Sequence, residues 1–217
     1  MKLPIQEVVQ CVTRLVAPGR SVLVGIDGGA GSGKTTFARW LAERVKETKT
    51  SASLVLTDNF FRPSAERVNY QFPLATVSDI DWERLRNQVI VPLRSGKTAR
   101  FQLYDWPADR LKDWVAIDVS GVTIIDGITA TRNELTDYYD LRIWFTCPRD
   151  IRVSRLLGRG DTSAADIEHW MPGEDEYISS HSPERYAHLI VNSTADIATG
   201  DGNGWLTTWC PRLAEPD

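Results

Sequence analysis

Residues 21–41 read SVLVGIDGGAGSGKTTFARWL, and this run decides the fold. Ser21 to Asp27 form a short apolar stretch bounded by glycine, the mark of a buried strand. Phe37, Leu41 and Val45 then recur at helical spacing. Between strand and helix, Gly28-Gly29-Ala30-Gly31-Ser32-Gly33-Lys34-Thr35 satisfies G-x-x-x-x-G-K-[ST], in the context where that pattern binds phosphate. Glycines let the backbone wrap phosphates with N–H groups pointing inward, and the helix that follows presents its positive end. Gly28 to Thr36 are therefore the expected nucleotide-binding residues. Lys34 reaches the β and γ phosphates, and Thr35 is placed to ligate Mg²⁺.

Working outward, apolar strands alternate with helical stretches. Met1 to Val16 has Ile5, Val8, Val9, Val12 and Val16 on one helical face. Ala52–Leu56, Gly121–Gly127, Leu141–Cys147 and His188–Val191 read as further strands. Residues 60–78 hold two prolines and no clean period, which predicts a loop with short helices. Ser78 and Asp81 resemble a capping box before Trp82, Leu85, Val89 and Leu93 at helical spacing. Thr98–Tyr104 and Trp114–Val119 suggest a hairpin excursion. Arg149–Leu157 is helical, and 162–180 is helical with a break expected at Pro172-Gly173. Alternating strands and helices imply an α/β fold, a central parallel sheet with helices on both faces. The expected organisation is an N-terminal helix (1–20), one nucleotide-binding domain (21–193) and a tail (194–217) that packs Trp205, Leu206 and Trp209 on the body.

Composition limits the partners. Among 217 residues, 25 Lys plus Arg stand against 29 Asp plus Glu, a formal charge of -4. No long-range positive field exists to gather nucleic acid or anionic lipid, so an anionic ligand must be held by local motifs. The three cysteines, Cys11, Cys147 and Cys210, are far apart and form no metal-ligand pattern. No signal-peptide core or membrane-length apolar run is present, so a cytoplasmic protein is expected, with no nucleic-acid or membrane partner. Oligomeric state is not legible.

Two further acids stand at strand ends. Asp126 closes VTIID and is placed to hold the Mg²⁺ shell with Thr35, although an acid there also serves as a turn cap. Asp27 also ends a strand, but lies directly before the loop and is suited to buttressing it. Asp58 follows the strand 52–56, where α/β folds bind ligands, and is a candidate to take a proton from an attacking hydroxyl. No N-K-x-D guanine-reading motif occurs, which favours ATP as the nucleotide.

The set GIDGGAGSGKTTFA, TDNFFR, LRSGKTARFQLYDW, GVTIIDGI and YDLRIWF resembles, in order and spacing, the uridine kinase and phosphoribulokinase family of P-loop kinases, over about residues 21–192. The resemblance implies a P-loop NTPase fold with a small hairpin and a helical lid at about 155–176. It implies ATP and Mg²⁺, with Asp58 as catalytic base in Asp58-Asn59-Phe60-Phe61. Phe61, Arg62, Tyr104 and Asp105 are the implied acceptor contacts. Arg155 and Arg159 match the lid that closes on the phosphates, and at helical spacing Arg152 shares their face. The acceptor motifs depart from the family. Residues 69–81 keep Asn69, Pro73 and a terminal acid but carry Gln71-Phe72 for Asp-His. Gln102 replaces a proline, Asp126 replaces a glutamate, and Trp106-Pro107-Ala108-Asp109 stands where a histidine is expected.

The resemblance thus implies an ATP-dependent kinase acting on a hydroxyl of a small molecule, a nucleoside first. One alternative is a nucleoside monophosphate kinase, for which Arg62 and Arg67 are the available cations. Another is a regulatory ATP-binding protein that has lost transfer.

Overall fold

The computed structural model describes residues 4–67, 76–194 and 205–209. The motif residues Asn69, Gln71, Phe72 and Pro73, and the tail at 195–204 and 210–217, lie outside the described residues.

Helix α1 (Ile5–Arg14) buries Ile5, Val8 and Val12, the face its spacing predicts. Strand β1 (Val22–Gly28) runs into the glycine loop, and α2 (Lys34–Glu47) leaves it, burying Phe37, Ala38, Leu41, Ala42 and Val45. Strand β2 (Ala52–Leu56) leads to short 3₁₀ turns at Thr57–Phe60, Ser64–Glu66 and Val77–Asp79. One helical run then comprises α3 (Trp82–Leu85), a π-helical stretch Arg86–Ile90 and α4 (Val91–Arg94). The hairpin β3 (Ala99–Asp105) and β4 (Arg110–Ile117) follows, then β5 (Val122–Asp126) and β6 (Leu141–Thr146). Helices α5 (Arg149–Arg159), α6 (Ala164–His181) and α7 (Pro183–Tyr186) precede β7 (Leu189–Asn192) and β8 (Leu206–Trp209).

Six strands form one sheet in the order β2-β5-β1-β6-β7-β8, and β3-β4 form a separate antiparallel pair. All main-sheet pairings are parallel except β7 with β8. The alternation of β1 sends Val22, Val24 and Ile26 to a core with α1 and α2, and Leu23 to a second core with Phe60, Leu85, Val89 and Phe101. Covering both faces makes β1 apolar without the polar alternation of a half-exposed strand. From β1 the chain crosses to β2 on one side, whereas β5 connects across β1 to β6 on the other. Connections that part in this way leave a crevice at the carboxyl ends of the strands. The register puts Asp126 level with Ile26 and Leu56, so the loop after β1, the residues after β2 and the end of β5 emerge together.

Several expectations change in detail. The second hairpin strand begins at Arg110, not Trp114, and a register shift falls between Gln102 and Tyr104. The capping box is Thr76 with Asp79, around a 3₁₀ turn, and Asp81 separately caps α3 through the Arg84 N–H. Helix α6 runs unbroken through Pro172. An interior proline costs about 3 kcal/mol, but Ile167, Met171, Glu174 and Tyr177 are buried on both sides of it and hold the two halves in line. Strand β8 is an antiparallel edge that the polar tail does not announce. Trp205 just before it meets Phe37 edge-on at 5.0 Å and Trp40 at 5.5 Å, closing the first core. Among the described residues no helix is long and apolar enough to cross a membrane.

Candidate active site

A cavity of about 640 Å³ opens at the carboxyl edge of the sheet. Ala30, Gly31, Gly33, Lys34, Thr35 and Thr36 line one wall. Gly33 has φ 90 and starts α2 without any side-chain cap or first-turn acid. An uncapped helix start leaves its N–H groups open, and its dipole favours an anion there. Gly28, Gly29 and Ser32 are buried behind this wall. Arg152 approaches so closely that a Cβ on Gly31 would lie 2.5 Å from its carbonyl oxygen, which is why the loop has no side chain there.

Lys34 is buried and donates to the Gly29 carbonyl at 3.2 Å. Asp58 and Asp126 flank it electrostatically, and its charge holds both carboxyls down. Burial outweighs that effect. Asp126, 1% exposed, is pushed up to about 6, with the negative charges of Asp58 and Asp27 adding to the rise. Asp58 is also raised by desolvation. Its side chain is exposed and lines the cavity, so a ligand can reach it.

Among the described residues neither carboxylate oxygen of Asp126 has a hydrogen-bond partner, although the Thr35 hydroxyl is near enough to lower its pKa. A buried, unpartnered carboxylate is costly unless a cation or donor completes it. Asp126 and Thr35 offer oxygen donors on the cavity wall, the ligand type that Mg²⁺ takes while keeping phosphate oxygens and waters. The residues present therefore fit that ion. Asp27 plays a different part. It is fully buried and accepts from the Gly28 N–H (2.7 Å), the Thr131 N–H (2.8 Å) and hydroxyl (3.0 Å), and the Tyr177 hydroxyl (2.6 Å). These contacts bind the loop's first residue to α6.

The arginines of α5 separate. Only Arg159 lines the cavity. Arg152 is buried against Glu174 of α6 at 2.8 Å, and Glu174 in turn accepts the Ala30 N–H at 3.0 Å. Arg155 donates to the carbonyls of Ser193 (2.7 Å) and Gly31 (3.5 Å) and to Cys147 Sγ (3.4 Å). The first two turns of α5 pack on the back of the glycine loop, so the shared helical face meets protein before phosphate. In this arrangement Arg152 and Arg155 contact the glycine loop, and neither lines the cavity. The 155–176 stretch is the end of α5 and most of α6, fastened to the loop through Glu174.

Of the four implied acceptor contacts, Phe61 lines the cavity and the other three do not. Arg62 pairs with Asp81 at 3.4 Å. Tyr104 is buried behind Phe61 and Trp106, donating to Asp109 at 2.6 Å and accepting from Arg67 at 2.9 Å. Burial, followed by the Asp109 carboxylate, pushes its hydroxyl up to about 12. Asp105 pairs with Lys112 at 3.5 Å and caps the hairpin turn. Trp106 takes the place at the cavity, half exposed and 4.8 Å from the Phe61 ring. Val77, Ile128, Trp170, Glu174 and Arg39 also line the cavity. Arg39, Ile128, Trp170 and Glu174 do so without having been expected there from the sequence. Arg39 alone had a signal, lying one turn beyond Thr35.

Comparison with known proteins points the same way. The model of the Phosphoribulokinase / Uridine kinase family matches residues 23–199. A protein named uridine kinase from Halobacterium salinarum is 32% identical over 195 residues, 81% of this chain and 82% of its own length. Two solved structures share the fold. One, described as a possible uridine kinase from Bacillus stearothermophilus, has a TM-score of 0.65 at 21% identity and covers 86% of this chain and 96% of its own. The other, described as a putative fructose transport system kinase from Silicibacter sp., has a TM-score of 0.64 at 21% identity, with 85% and 95% covered.

Proposed function

The chain belongs to the phosphoribulokinase and uridine kinase family and is an ATP-dependent P-loop kinase; we propose that its acceptor is a hydroxyl of a nucleoside. The observation that carries the reading is a single cavity lined by Lys34, Asp58 and Asp126, with Lys34 in electrostatic reach of both acids, beside an uncapped helix start.

The open N–H groups of α2 and the Lys34 ammonium bind the triphosphate and fix its direction. Thr35 and Asp126 are the residues that would hold Mg²⁺, which when bound offsets charge on the phosphate oxygens. Asp58 orients the acceptor hydroxyl and takes its proton as the oxygen attacks the γ phosphorus in line, with ADP as leaving group. Desolvation raises its pKa, which makes it a stronger base, and the nearby Lys34 charge works against that rise. Arg159 stands free of α5's packing to meet the transferred group. Phe61 and Trp106 offer ring faces to a base.

Arg62 and Arg67 bear on the choice of acceptor. A nucleoside monophosphate needs cations beside the base site, but Arg62 is paired with Asp81 and buried Arg67 donates to the Arg62 carbonyl and Tyr104 hydroxyl. ADP release with ATP and Mg²⁺ across nucleosides, nucleoside monophosphates, sugars and simple alcohols tests the assignment. Nucleosides should lead. Higher kcat/KM on cytidylate or adenylate would overturn it.

A further inference from the structure

Arginine partners divide the cleft. At the acceptor end, Arg62 is paired with Asp81 and Arg67 with Asp109, while Arg84 donates to the carbonyls of Asn59 and Gln102. On α2 the other exposed cations are also engaged, Arg44 with Glu47 and Lys46 with Glu43. Glu43, four residues after Arg39, is the acid that could have held Arg39 on the helix surface. It is taken by Lys46. Arg39 is exposed, lines the cavity with Thr35 and Thr36, and has no ion pair among the described residues.

Its position on the helix says which part of a ligand it meets. Arg39 lies four residues after Thr35 and three after Thr36, hence on their face of α2. Helical side chains lean toward the N-terminus, so the guanidinium returns toward the open N–H groups. Lys34, at the mouth of the loop, serves the β and γ phosphates. With Lys34 serving the β and γ phosphates, the α-phosphate is the part of the triphosphate left for a second cation on the same helix. We propose that Arg39 is a donor-binding residue that contacts the α-phosphate of ATP, an inference that rests on the kinase reading above. A phosphate contact is independent of the base, so it adds affinity for any nucleoside di- or triphosphate without selecting among bases.

Calorimetric titration of ATP, ADP and inorganic tripolyphosphate into the wild-type protein, Arg39→Ala and Arg39→Lys tests this. Arg39→Ala should weaken all three by about tenfold, the scale of one charge-assisted contact at an open site. Arg39→Lys should recover part of the loss, and the ligand-free melting temperature should not change because the side chain is exposed. Unaltered ATP affinity in Arg39→Ala would overturn the inference. So would a loss for ATP absent for ADP, which puts the contact on the γ-phosphate, or a loss confined to nucleotides, which puts it on base or ribose. Failure of the wild-type protein to bind ATP would instead bring down the kinase reading itself.

Discussion

Replacing Arg152 with methionine should unfold the protein more than it should disarm it. The guanidinium lies 2.8 Å from Glu174 and 3.3 Å from the Ala30 carbonyl, and both charged side chains are under 10% exposed. Arg152→Met keeps most of the apolar stem but leaves the Glu174 carboxylate buried with, among the described residues, the Ala30 N–H as its one remaining partner. Breaking a buried pair in this way costs about 3–5 kcal/mol. At roughly 2–4 °C per kcal/mol for a chain of this size, the ligand-free melting temperature should fall by about 6–20 °C. Adding Glu174→Leu should restore most of it, since an apolar pair of similar volume often replaces a buried ion pair without loss. Circular-dichroism melts of the two variants read both effects. If Arg152 instead served phosphate on an open lid face, Arg152→Met would melt with the wild type and lose only ATP affinity. That outcome would refute the clamp.

Asp126 carries a pH signature. Its folded pKa of about 6 exceeds the ordinary 3.8, so the folded state holds the proton more tightly. Its contribution to stability is therefore fullest below about pH 4 and is lost as pH rises through 6. In EDTA, the stability of Asp126→Asn relative to wild type should rise by about 2 kcal/mol between about pH 4.5 and 7.5. Parallel pH profiles would contradict the assignment of a strained, cation-seeking carboxylate. Gly127→Ala should be destabilised by at least about 2 kcal/mol, because φ 144 and a Cβ 1.8 Å from Thr57 Oγ1 admit no side chain. Denaturant melts should show Thr57→Ala easing that loss without erasing it, since the Thr57 Cβ would remain at 2.9 Å.

The P-loop strand, its helix and the acids at strand ends were legible because short-range spacing determines them. A buried parallel strand must be apolar, and a phosphate loop must be glycine-rich, whatever lies elsewhere in the chain. Arg152 and Arg155 show where local reading stops. Their spacing identifies a common face, but the partners of that face, Ala30, Gly31 and Glu174, come from distant parts of the chain. Tyr104 is similar: its hydroxyl is claimed by Asp109, which occupies the turn in a left-handed conformation (φ 48) and draws in Arg67 and Ser64. The unbroken α6 likewise depends on tertiary burial outweighing proline's local preference. Strand β8 has almost no apolar period of its own and is defined by pairing with β7.

The central claim is that Asp58 promotes transfer of the γ-phosphoryl group of ATP to an acceptor hydroxyl. Incubating wild-type and Asp58→Asn proteins with γ-labelled ATP, Mg²⁺ and a nucleoside, and following label into the nucleoside product, tests it most directly. The wild type should yield labelled nucleoside monophosphate, and the variant should bind ATP within a few-fold of wild type while transferring roughly 10²–10⁴-fold more slowly. Equal transfer by the two proteins would contradict the account.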